Sequence, residues 1–69
     1  MTQHERIRKY LDDFGSITPF QAFADLGITK LSTRVGEMIR DGEKIKKDMV
    51  SSVNRYGEKV SYMKYAKAV

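Results

Sequence analysis

The chain has no cysteine and a single histidine among its 69 residues. Without cysteine there is no disulfide, no thiolate nucleophile and no thiolate metal ligand, a usage that suits a reducing cytosol. His4 alone cannot build a histidine-based metal site, so neither a metal nor a cofactor is expected. No apolar run approaches the roughly 18 residues that a membrane span needs, and the stretch TQHERIRKY is polar throughout, unlike a signal peptide. The expectation is a soluble, cytoplasmic protein with no membrane contact. Residues 1–69 are expected to form one domain with a small core, since a chain of this length buries only about 60% of its unfolded surface. Catalytic groups are also missing. Asp12 and Asp13 are adjacent positions that do not face each other on a helix, and no nucleophile, base and orienting group converge, so an enzyme is not expected.

Charge is present, and it is uneven. The net charge is +4, but residues 1–27 hold three basic against four acidic side chains, and residues 28–69 hold ten against five. A basic second half implies a polyanionic partner; a merely solvated surface is the plainer reading of the same charges.

Apolar spacing gives the elements. Ile7, Tyr10, Leu11 and Phe14 form a buried stripe at helical spacing, so a first helix is predicted over 2–14, closed by Gly15. Arg6, Arg8, Lys9 and His4 on this helix are expected to face solvent. Ser16-Ile17 is long enough only for a short strand. Thr18-Pro19-Phe20-Gln21 reads as a helix start: the Thr18 hydroxyl accepts from the Gln21 amide, the Gln21 side chain reaches back, and Pro19 occupies the first helical position. The second helix, 19–26, is expected to bury Phe20, Phe23, Ala24 and Leu26 and to stop at Gly27.

Gly27-Ile28 then leads into a third helix over 29–41, for which Thr29 is the expected cap. Two helices joined by so short a glycine turn must cross steeply, with Ile28 filling the angle, which is a helix-turn-helix. On the third helix Ile28, Leu31, Val35, Met38 and Ile39 fall on one arc, opposite Lys30, Thr33, Glu37 and Arg40. Gly36 inside it is read as a point of close approach by a neighbouring element. From Ile45 the period changes to two. Ile45, Met49 and Val53 alternate with polar residues, and a second run carries Val60, Tyr62, Met63 and Tyr65, giving a hairpin over about 45–66 with Tyr56-Gly57 at its tip. The pattern does not decide which face of the second strand is buried. Lys67 to Val69 read as a frayed tail.

Helix, short strand, helix, tight turn, helix and hairpin make an α+β winged helix-turn-helix: three helices, a short strand after the first, and a C-terminal β-hairpin wing. The chain resembles the small bacteriophage and prophage winged helix-turn-helix DNA-binding domains over about residues 5–66. The resemblance rests on FGSITPFQAFADLGITKLSTRV, on IRDG closing the third helix, and on NRYGEK at the hairpin tip. It implies a DNA-binding module.

The residues lead to the same chemistry. The N-terminal half of a helix lying in the major groove supplies side chains to base edges. Here that half offers Thr29, Lys30, Ser32, Thr33 and Arg34: Arg34 for a guanine edge, Thr33 for a thymine methyl or phosphate, Lys30 for guanine or backbone, Thr29 and the free amides for phosphate. Glu37 reads as an ion-pair partner of Arg34 or Arg40 in preference to a reader of cytosine. Arg55, Tyr56 and Lys59 of the wing are assigned to the backbone or minor groove. Lys46 and Lys47 read either as a second phosphate row or as a solvated strand edge.

The leading expectation is a sequence-specific double-stranded DNA-binding protein, a regulator of transcription or an accessory factor in recombination or packaging. A homodimer is the usual route to specificity for so small a module, with the first helix and the second strand as candidate contacts. The competing reading is a winged helix that binds and inhibits a host or phage protein.

Overall fold

The computed structural model describes residues 1–68. Val69, the last residue of the expected frayed tail, lies outside them. The elements run α1 (Gln3–Phe14), β1 (Ser16–Ile17), α2 (Pro19–Leu26), α3 (Leu31–Arg40), β2 (Ile45–Val53) and β3 (Lys59–Lys67). The strands form one antiparallel sheet in the order β1-β3-β2, so the protein is a three-helix winged fold with the hairpin as its wing.

Local chemistry sets the helix ends. Thr2 and Thr18 each make a complete capping box, with Glu5 and Gln21 respectively, which satisfies donors that a helix start otherwise leaves unpaired. Gly15 and Gly27 end α1 and α2 in the left-handed conformation, at φ 83° and 70°. After Gly27 the chain folds back, and the Ile28 amide donates to the Ala22 carbonyl at 3.0 Å.

That fold-back corrects the expected start of α3. Ile28 is only 1% exposed, and Thr29 and Lys30 carry the chain back from the core before helical geometry begins. The N-cap is therefore Lys30, with no side-chain cap bond, and Thr29 caps nothing.

The core is built from Ile7, Tyr10 and Leu11 of α1, Ile17 of β1, Ala22 of α2, Ile28, then Leu31, Val35 and Met38 of α3, and Tyr65 of β3. The short strand earns its place through burial. Ser16 pairs with Ala66 and Ile17 with Tyr65, which fixes the fully buried Ile17 against the sheet and beneath the helices. Tyr65 also settles the face of the second strand: Met63 and Tyr65 turn inward, while Val60 and Tyr62 remain 38% exposed each.

Several apolar residues expected in the core lie outside it. Phe14, Phe20 and Phe23 are 69%, 79% and 61% exposed, and Ala24 is exposed as well. The short α2 is apolar on nearly every side, so its periodicity cannot choose a face. Ala22 faces inward at the centre of α2, while the Tyr10 hydroxyl donates to Asp25 at 2.6 Å and ties the helix to α1. Met49 and Val53 are each 64% exposed because the hairpin outgrows the core. Nine-residue strands reach about 30 Å, and residues 51–60 are exposed without exception.

Lys67 is not frayed. It belongs to β3 opposite Ile45 and contacts Asp12, and the Ala68 amide donates to the Lys44 carbonyl at 3.0 Å. Gly36 is corrected too: no atom lies within 4 Å of where its Cβ would stand, so nothing approaches it.

Candidate nucleic-acid interface

α3 buries Leu31, Val35 and Met38 and leaves the opposite side open. Thr29, Lys30, Ser32 and Thr33 are all exposed at its start. Because no side chain caps this helix, its first amides keep their donors for an outside acceptor, in contrast to the boxed starts of α1 and α2. At about 100° per residue, Thr33, Gly36 and Arg40 form one outward stripe along α3, and all three are exposed. Arg40 falls on the side expected to face outward, whereas Gly36, read from the sequence as a point of close approach, joins it there as an exposed position.

Arg34 sits differently from its neighbours. Its Nη1 donates to both Glu37 carboxylate oxygens, at 2.9 and 3.0 Å, so the expected pairing of Glu37 falls on Arg34. A second partner reaches the same carboxylate: His4 Nε2 lies 2.8 Å from Glu37 Oε1. His4 is thus a hydrogen-bonding residue 29% exposed, not the free surface residue expected. The His4 hydrogen bond, with Arg34 beside it, holds the Glu37 carboxyl below its ordinary range. Thirty-three residues separate His4 from Glu37, and no local pattern could have joined them.

Two more ion pairs involve α1, one reaching outside it and one within it. Arg8, expected in solvent, makes a two-armed contact with Glu43 at 2.7 and 3.0 Å, and that guanidinium holds the Glu43 carboxyl low. Lys9 pairs with Asp13 at 3.4 Å. The Arg8–Glu43 pair anchors α1 beside the end of α3, and among the described residues no ion pair engages Lys30.

The wing presents Arg55, Tyr56 and Lys59, all exposed, with Tyr56 at 81%. Its tip is rigidly built. Asn54 Oδ1 accepts from the Tyr56 amide at 2.9 Å and the Glu58 amide at 3.0 Å, the Gly57 amide returns to the Asn54 carbonyl at 3.1 Å, and Gly57 stands at φ 79°. An asparagine first and a glycine fourth suit such a turn. Lys46 and Lys47 are exposed on β2, the outer strand of the sheet.

Two helices joined through the Gly27–Lys30 turn, a third supporting helix and a basic hairpin define the winged helix class. The chain belongs to the winged helix-turn-helix domain family, whose model matches residues 2–68. No curated protein and no solved structure matches it. Membership in this family implies DNA as the partner. Among the described residues no helix is long and apolar enough to cross a membrane.

Proposed function

We propose that this protein is a sequence-specific binder of duplex DNA that reads the major groove with the start of α3 and grips the flanking backbone with the wing. The observation that carries the proposal is the uncapped start of α3, where exposed Thr29, Lys30, Ser32 and Thr33 surround unpaired amides on a domain whose other exposed cationic tip is the wing. Lys30 and the amides serve phosphates, and Ser32 and Thr33 serve base edges. Arg34 joins them by exchanging Glu37 for a guanine edge or a phosphate. Arg55, Lys59 and Tyr56 supply the second contact. The role is that of a phage-type transcriptional regulator, or of an accessory factor in recombination or packaging, acting in the cytoplasm; the SITP and NRYGEK motifs support this assignment.

A second reading is favoured by one observation. The Arg34 charge is already met by Glu37, which weakens the pull on a polyanion and suits a module that binds a host or phage protein instead. Selection of bound fragments from random and phage genomic duplexes tests the two. Recovery of a shared sequence supports DNA recognition, and recovery of no enriched sequence at low salt rejects it.

A further inference from the structure

Arg34 is held in a pose that leaves part of its side chain unsatisfied. Both of its bonds to Glu37 come from one nitrogen, Nη1, and its Nε is buried with no hydrogen-bond partner. A guanidinium meets a carboxylate or phosphate best with two nitrogens in a fork. Arg34 therefore has donors to satisfy by leaving Glu37, and an open cleft that it lines with Thr2, Gln3 and His4 adjoins it.

Glu37 is what opposes the move. Once Arg34 leaves, the half-buried carboxylate keeps one partner, the His4 ring. A neutral imidazole offers it an ordinary hydrogen bond, whereas an imidazolium offers a charge-assisted bond and cancels its charge. Protonation of His4 thus lowers the cost of transferring Arg34 from Glu37 to another anion.

The charges around His4 are few. On α3, Glu37 bonds it and Arg34 lines the same cleft, and these two side chains, His4 and Arg34, are the charged groups that act on Glu37. After α3, Glu43 feels His4 but is held in a two-armed contact by Arg8 of α1. On α1 itself, Glu5 is engaged in the Thr2 capping box. Of the other elements packed on α1, β1 carries no charge, and the one charged residue of α2, Asp25, accepts from the Tyr10 hydroxyl. Histidine is the side chain type that ordinarily changes charge between about pH 5 and 8, and His4 is the single histidine of a chain without cysteine.

We propose, resting on the reading of α3 as the DNA-contacting helix, that His4 is a positioning residue for DNA recognition: by taking a proton it takes over Glu37, frees Arg34 for the duplex, and makes affinity rise as the solution is acidified. By reciprocity, DNA binding draws a proton onto His4, because a Glu37 without Arg34 favours the imidazolium more strongly.

Fluorescence anisotropy with a labelled duplex of random sequence tests this, at constant salt and in steps from about pH 8 to about pH 5.5. Wild-type affinity is expected to rise about fivefold across the range, the low end of ordinary coupling between sites, with the circular dichroism unchanged. His4→Gln keeps a donor for Glu37 but takes no proton, and it is expected to bind like wild type at the alkaline end and to show no rise. In Glu37→Gln the rise is also expected to vanish, with affinity high throughout, because Arg34 is already free. Duplex binding by the wild type that is flat with pH, or a rise that persists in His4→Gln, overturns the proposal and leaves DNA binding standing. A rise that persists undiminished in Glu37→Gln overturns it as well, since His4 would then meet DNA itself. A wild-type chain without duplex affinity at any pH overturns the DNA reading and this inference together.

Discussion

His4 Nε2 and Glu37 Oε1 lie 2.8 Å apart, joining the first turn of α1 to the middle of α3. The same carboxylate holds Arg34, so α1 indirectly fixes where the Arg34 guanidinium points. Glu37→Gln removes a negative charge from beside the reading surface and releases Arg34. Affinity for duplex DNA is expected to rise about threefold to tenfold, with log K falling more steeply against log salt, by up to about 0.9 for one additional phosphate contact. Fluorescence anisotropy titrations across a salt series check both.

Acid should loosen the scaffold through its carboxylates. Glu37 and Glu43 titrate below their ordinary value of 4.5 in the folded protein because His4 and Arg8, respectively, hydrogen-bond their charged forms. A carboxyl lowered on folding contributes stability that is present above the unfolded value and lost as pH falls through the folded one. The urea midpoint is therefore expected to hold above pH 4.5 and to drop below it. Glu43→Gln is expected to lower the neutral-pH midpoint and to flatten the acid limb, measured by circular dichroism at successive pH values.

Two glycines should respond to alanine with opposite signs. Gly36 is helical, and its missing Cβ would stand in open space, so Gly36→Ala is expected to stabilise the fold by about 0.5–1 kcal/mol. Gly57 sits at φ 79° in the wing turn, where a side chain is strained, and Gly57→Ala is expected to cost about 1–2 kcal/mol. Chemical denaturation of both variants measures the pair.

Much of this fold was legible because it is written locally. The capping residues Thr18 and Gln21, the stop at Gly27, and the stripe of Leu31, Val35 and Met38 depend on neighbours three or four positions away, and the sequence displays them. The face of α2 was not legible. An eight-residue helix apolar on most sides carries no directional signal, and Phe20 and Phe23 face out because α1 claims Ala22 and Asp25. The same limit applies to the candidate interface: the exposed side of α3 follows from spacing, whereas the link of Arg34 through Glu37 to His4 exists only once α1 is packed against α3.

Binding to duplex DNA is the central claim, and the salt dependence of that binding in wild type, Lys30→Ala and Arg55→Ala tests it most directly. Each substitution is expected to weaken binding at low salt and to reduce the slope of log K against log salt by about 0.9, the signature of one lost phosphate contact. Duplex affinity that is absent at low salt, or that is unchanged in both variants, would contradict the account.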